Sequence, residues 1–270
     1  MLIEGAFYKL PEILAASDDP QGIYEANIAN LFAMGILLEF NARNVENALQ
    51  NIQLEKRYEK SRNLRADVYV NLAKFSKNLY IYGIRPNNWI EAKYFGGLKR
   101  NKGNETKSEN AGAIMYDIFR LCCLVPLSLQ KKDNMTRYVL NVFNNRPEKY
   151  LAYRRESRTE RIWLSNLLHP GSNEIIFSLS QEPKTIKELF GKYFLNNPTT
   201  ELTIKANVET LEFKPFIDAD IQFWGYLSRI VNFTIALEGI KVTYDPLQKF
   251  DQINIDNLSA IRSELFTVDK

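Results

Sequence analysis

Between residues 89 and 143 the sequence runs from a strand-like segment through a helix-like segment to a second strand-like one. This order constrains the fold more than any other feature. Residues 89–95 are rich in aromatic and apolar side chains, residues 111–125 are apolar at helical spacing, and residues 137–143 resemble a strand again. Two strands joined by a crossover helix lie parallel in one sheet. The pattern therefore predicts a parallel strand pair with a helix packed on it.

A further strand-like run at residues 64–72 precedes this crossover unit. It can pair antiparallel with residues 89–95. Residues 22–41 carry apolar side chains at helical spacing, which predicts a long helix ahead of the sheet. The expected fold class is therefore α/β (α+β), with a central mixed β-sheet flanked by helices.

Other segments have weaker patterns. A polar, charged stretch at about 44–60 is interpreted as a second helix. In the last hundred residues, strands are expected at 175–179 and 202–213, and helices at 184–195 and 218–237. The aromatic-rich part of the last helix, 221–233, is interpreted as core, with a dimer interface as the alternative.

No obvious linker divides the chain. We treat residues 1–170 as one core unit. Residues 171–270 are either its continuation or an appended subdomain, with a soft boundary near Pro170. A role of this second part in DNA recognition or dimerisation is a hypothesis that follows from the function considered below.

Composition excludes several classes of protein. The 270 residues are 45% hydrophobic with a formal net charge of +3, which permits an anionic partner without requiring one. One histidine, His169, and two adjacent cysteines, Cys122 and Cys123, are too few for multi-histidine zinc sites. The cysteines are expected to be buried and reduced, as in the cytoplasm. No signal peptide or transmembrane segment is recognised, so no membrane partner is expected.

The strand-like segment at 89–95 carries the candidate chemistry. Because side chains alternate along a strand, Glu91 and Lys93 point to the same face, where charges are costly unless they are paired or bind a metal. Glu-x-Lys occurs four times in the chain, but only Glu91 has an aspartate, Asp67, on a preceding strand. Two carboxylates and a lysine suit phosphodiester hydrolysis, since Mg²⁺ prefers oxygen ligands and a lysine can stabilise the transition state.

In this arrangement the chain resembles the PD-(D/E)xK nuclease superfamily, which includes most type II restriction endonucleases. The resemblance covers roughly residues 20–145 and implies a restriction-endonuclease-like catalytic core. It implies that Asp67, Glu91 and Lys93 are catalytic and that Asp67 and Glu91 hold Mg²⁺. The chain departs from the family pattern at Ala66, where a proline commonly precedes the first acid.

Members of this family often add an acid from the helix that precedes the sheet. Glu25 and Glu39 are the candidates here, because both lie on one face of the predicted helix. Other interpretations stay open: both acids could face solvent or cap the helix, Asp67 could pair with Arg65 at a sheet edge, and Glu91 and Lys93 could form a surface pair.

Two basic stretches are candidates for contact with DNA phosphates. The first is a polar loop after residue 95, and the second spans residues 146–161. The candidate residues are Lys99, Arg100, Lys102, Lys107, Arg154 and Arg155. A solvated loop and a helix crossed by ion pairs are the alternatives for these two stretches.

The sequence therefore predicts a Mg²⁺-dependent type II restriction endonuclease. It would cut double-stranded DNA at a short specific site and act as a homodimer, because two-fold symmetric sites suit symmetric enzymes. Two alternatives remain: a repair, recombination or defence nuclease that reads DNA structure, and a non-catalytic DNA-binding protein on the same fold.

Overall fold

The computed structural model describes residues 2–17, 22–59, 64–73, 85–96, 107–130, 134–144, 146–151, 160–194, 201–215, 222–247 and 253–265. Within these ranges the fold is a mixed α/β arrangement in which a central sheet of eight strands carries helices on its faces. The predicted fold class is confirmed. No helix in these ranges is both long enough and apolar enough to cross a bilayer.

The sheet is built in the order β1-β2-β3-β4-β7-β6-β5, and β8 pairs with β7 outside this path. The strands are β1 (Ile52–Arg57), β2 (Arg65–Asn71), β3 (Asn87–Phe95), β4 (Met135–Phe143), β5 (Gly171–Ser178), β6 (Thr203–Phe213), β7 (Trp224–Leu237) and β8 (Ile240–Tyr244). Strands β3 and β4 are parallel and β2 pairs antiparallel with β3, which confirms both predicted pairings. The other neighbouring strands are antiparallel.

The described helices surround this sheet. They are α1 (Leu2–Ala15), α2 (Glu25–Ala42), α3 (Lys107–Cys123), α4 (Leu127–Gln130), α5 (Glu148–Leu151), α6 (Ile162–Leu167), α7 (Lys184–Gly191) and α8 (Ile255–Ser263), with 3₁₀ turns at Ala48–Asn51 and Leu179–Gln181. Helix α3 is the predicted crossover between β3 and β4. Helix α1 was not among the predicted elements.

Two hydrophobic cores form on the two faces of the sheet. On one face α1 and α2 pack against Ile90, Ala92 and Leu140. On the other, α3 packs against the alternate positions Trp89 and Phe95. This alternation along β3 places Glu91 and Lys93 on the α3 face, because they share the parity of Trp89 and Phe95.

Helices α1 and α2 approach each other closely at Gly35. A Cβ atom built there would lie 2.9 Å from the Ala6 carbonyl oxygen, which is closer than real Cβ contacts come. A side chain at this position would therefore push α1 away from α2. The glycine thus helps set the position of α2, which carries Glu25 toward the sheet.

Two predicted helices are wrong. The stretch at 44–60 contains a 3₁₀ turn and the edge strand β1, which pairs along its length with β2. The segment predicted as a helix over 218–237 contains β7. Its β-branched residues, such as Ile230 and Ile235, fit a strand, and the first half of this strand lies between β4 and β6. Burial of the consecutive residues 225–228 removes, in that half, the alternation that marks a half-exposed strand.

Candidate active site

The predicted site lies where β2 and β3 separate. Their ladder runs from Asn71–Asn87 to Val68–Ile90 and ends there, so Asp67 and Glu91 are the first residues past its end. The Asp67 Oδ2 atom accepts a hydrogen bond of 2.7 Å from the backbone N–H of Ala92. The Asp67 side chain thus bridges the two strands where their backbone pairing stops, and its carboxylate is held beside Glu91.

Glu91 is fully buried, and both carboxylate oxygens have a donor. Tyr58 donates its hydroxyl to Oε1, and Arg120 donates Nη2 to Oε2 at 2.8 Å. Burial raises the pKa of Glu91 well above its usual range, and the Arg120 charge opposes that shift. The surface-pair interpretation of Glu91 and Lys93 is therefore wrong for Glu91.

Lys93 lies between two acids. Its Nζ atom is 2.8 Å from Glu25 Oε1 and 3.1 Å from Asp117 Oδ2. Burial disfavours the charged ammonium, but Asp117 and Glu25 outweigh it and raise the pKa of Lys93 above its usual value. Lys93 is therefore a fixed cation at neutral pH, suited to stabilising negative charge and not to accepting a proton.

At Asp67, in contrast to Lys93, the surroundings disfavour the charged form of the side chain. Burial raises the pKa of Asp67 to about 6, against the hydrogen bond from Ala92, which lowers it. The nearby Asp117 carboxylate adds to the rise. A carboxyl with a pKa close to neutrality would change its protonation readily when a cation arrives.

Helix α3 supplies two charged residues that were not predicted. Asp117 and Arg120 are separated by one turn, and Arg120 Nη2 donates to Asp117 Oδ1 as well as to Glu91. The rings of Tyr58 and Tyr116 lie 5.9 Å and 5.4 Å from the Arg120 guanidinium carbon. A signal was present: these are the two charges within the otherwise apolar run at 111–125 of the crossover helix.

The structure separates the two candidate acids of α2. Glu25 contacts Lys93, whereas Glu39 pairs with Arg43 at 2.9 Å and Lys9 at 3.4 Å. The first turn of α2 thus belongs to the site, and Glu39 serves the contact between α1 and α2.

The DNA-contact candidates are mostly outside the described residues. Lys107 is exposed at the beginning of α3. Those outside the described ranges are Lys99, Arg100, Lys102, Arg154 and Arg155. Arg65, the alternative partner of Asp67, has its guanidinium 4.0 Å from Glu55 instead.

One buried amide lies beside Lys93. Asn141 on β4 is the register partner of Lys93, so the two side chains are neighbours on the α3 face of the sheet. Asn141 is fully buried, and neither its oxygen nor its nitrogen has a hydrogen-bond partner among the described residues. A buried amide costs free energy when it is left without a hydrogen-bond partner.

The donor chemistry fits a hard divalent cation, with one obstacle. Asp67, Glu91 and Asp117 offer the carboxylate oxygens that Mg²⁺ takes. In the described parts of the chain, however, no three acidic, histidine or cysteine side chains are gathered closely enough to hold an ion as they stand. Arg120 lies between Glu91 and Asp117 and pairs with both.

Comparisons with known proteins identify no relative of this chain. No model of a protein family matches the sequence, and neither a curated protein nor a solved structure matches it.

Proposed function

We propose that the chain is a Mg²⁺-dependent endonuclease of the PD-(D/E)xK kind that cuts double-stranded DNA at a short specific site, as type II restriction enzymes do. One observation carries the proposal. At the point where β2 and β3 separate, Asp67, Glu91 and Lys93 come together beside a crossover helix, in a sheet whose β3–β4 pair is parallel.

The roles follow from the contacts. Asp67 and Glu91 would hold the ion through their carboxylate oxygens. When bound, Mg²⁺ supplies activation of water and neutralisation of charge on the phosphate. Lys93, held by Glu25 and Asp117, would keep a positive charge beside the reacting phosphate and would orient the attacking water.

The substrate and the assembly are proposed on general grounds. Exposed Lys107 at the beginning of α3 would contact the phosphate backbone of a bound duplex. A homodimer would present two such sites to a two-fold symmetric duplex. We expect the enzyme in the cytoplasm, where its free, buried cysteines stay reduced.

A second candidate is favoured by one contact. Because Arg120 already neutralises Glu91, a DNA-binding protein that has lost cleavage on this fold would show the same arrangement. A nuclease that reads DNA structure differs from the restriction enzyme only in its substrate.

The test is incubation of the purified chain with phage and plasmid DNA in Mg²⁺ or in EDTA. We expect discrete Mg²⁺-dependent fragments, with the rate reduced about hundredfold or more in Asp67→Asn. Asp256→Asn, which changes an exposed acid in the first turn of α8, is the matched control and should cut normally. Cleavage of branched DNA alone would favour the structure-reading nuclease, and DNA binding without any cleavage would favour the binding protein.

A further inference from the structure

Arg120 holds its two acids in an unusual way. A single nitrogen, Nη2, donates both to Glu91, with an N···O distance of 2.8 Å, and to Asp117. The two carboxylates are almost completely buried, and the Arg120 side chain is 13% exposed. One positive group therefore bridges two acids that come from different elements, β3 and α3.

The rest of the guanidinium lies beside the rings of Tyr58 and Tyr116. The Arg120 Nε atom is buried and has no hydrogen-bond partner among the described residues. Arg262 provides the contrast, because its Nε donates to the Cys123 carbonyl, its Nη1 to Glu59 and its Nη2 to the Val125 carbonyl. Arg262 is fixed by hydrogen bonds from three nitrogens, whereas both acid contacts of Arg120 come from one nitrogen, so an ion that takes over these two carboxylates replaces the guanidinium at both of them.

The charges around Arg120 favour a more highly charged ion. Four acids converge on this region: Asp67, Glu91, Asp117 and Glu25. They meet two cations, Lys93 and Arg120. A divalent ion in place of the guanidinium would bring two charges to the same carboxylates and would accept oxygens on several sides.

We propose that Arg120 holds the place of a divalent cation between Glu91 and Asp117. In this view Asp117 is a further metal ligand, and metal binding requires the Arg120 guanidinium to move away from both acids. This inference rests on the proposed function, because it concerns the metal of the same site.

The test measures Mn²⁺ binding directly, by titration calorimetry and by the loss of the free Mn²⁺ signal in electron paramagnetic resonance, with no DNA present. Arg120→Gln removes the competing cation, and we expect it to bind Mn²⁺ about tenfold more tightly than the wild-type chain. It should also gain more in melting temperature from Mn²⁺ than the wild type does, since an ion stabilises the state that binds it.

Arg262→Gln is the matched control, because it leaves the single acid Glu59 without its arginine. We expect this variant to lose stability without any gain in Mn²⁺ affinity. Equal or weaker Mn²⁺ binding by folded Arg120→Gln would overturn the proposal.

Asp117→Asn keeps the proposal testable if Arg120→Gln does not fold. It retains the pair between Arg120 and Glu91 and removes one proposed ligand. We expect its Mn²⁺ affinity to fall about tenfold, and an unchanged affinity would also overturn the proposal. Tighter Mn²⁺ binding by Arg120→Gln and weaker binding by Asp117→Asn, with no cleavage of DNA by the wild-type chain, would support this inference and refute the nuclease. DNA cleavage by the wild-type chain, with unchanged Mn²⁺ binding in both variants, would support the nuclease and refute this inference.

Discussion

The Glu25 Oε1 atom lies 2.8 Å from Lys93 Nζ and so ties the first turn of helix α2 to strand β3. The contact connects residues that are far apart in the chain. The same Lys93 ammonium group also pairs with the Asp117 carboxylate. Lys93 is therefore positioned from two sides, by one acid on each of two helices.

The first prediction concerns this positioning. Glu25→Gln keeps the shape of the side chain but removes its charge, so Lys93 should lose part of its alignment and cleavage should slow about tenfold. The effect should appear in kcat, measured on a plasmid substrate in saturating Mg²⁺. Glu39→Gln, on the same helix but paired with Lys9 and Arg43, should cut at the wild-type rate. Equal rates for the two variants would mean that Glu25 is not part of the site.

The second prediction concerns Asn141. Asn141→Leu replaces a buried amide without partners by an apolar side chain of similar size, so the free energy of unfolding should rise by about 1 kcal/mol. If the amide serves the substrate or its water, cleavage should fall at the same time. Urea unfolding followed by circular dichroism measures the first effect and plasmid cleavage the second.

Asn88 is the matched control for that change. It is buried on β3, but its amide donates to the carbonyls of Arg85 at 3.0 Å and Val70 at 3.4 Å. Asn88→Leu should therefore lower the free energy of unfolding by about 1–2 kcal/mol. Destabilisation of similar size by Asn141→Leu would show that its amide has a structural role.

The third prediction is a pH dependence of stability in EDTA. Burial raises the pKa of Asp67 from 3.8 to about 6, so the folded chain holds a proton that the unfolded chain releases earlier. Stability from this group is full below pH 4 and is lost as pH rises toward 6. Asp67→Asn should flatten that decline by about 2 kcal/mol, after allowance for the partial exposure of the side chain. Identical pH profiles for the two chains would contradict the burial of Asp67.

The fourth prediction concerns the two thiols. Burial raises the pKa of Cys122 to about 12 and raises the pKa of Cys123 well above its usual value, so neither thiolate forms at pH 8. Both should resist alkylation in the native state and react fully in denaturant, as counted by mass spectrometry. Fast labelling of the native chain would show that the core beneath α3 opens readily.

Much of the site could be predicted because strand periodicity is local. The alternation along residues 89–95 placed Glu91 and Lys93 on one face, and the crossover rule made β3 and β4 parallel. Arg120 and Asp117 were missed because the rotation of a helix about its axis depends on its packing. The same limit left Glu25 and Glu39 undecided, and only the packing of α2 against β3 distinguishes them.

Strand β7 shows a different limit. Its first half is buried at consecutive positions, and a run without alternation fits a buried strand and a buried helix equally well. Pairing decides between the two: the first half of β7 lies between β4 and β6, and its second half lies between β6 and β8. These neighbours come from distant parts of the chain, which a local pattern does not include.

The place of β7 beside β4 has a consequence for how the chain holds together. All nine residues of β4 are buried, and one long side of this strand is covered only by a strand that begins at Trp224. A fragment that ended near Pro170 would present β4 as an open, apolar sheet edge, the kind of edge that recruits other chains and aggregates. Residues 224–230 thus complete the strand pair that carries Lys93, and we expect the two halves of the chain to unfold in a single cooperative transition.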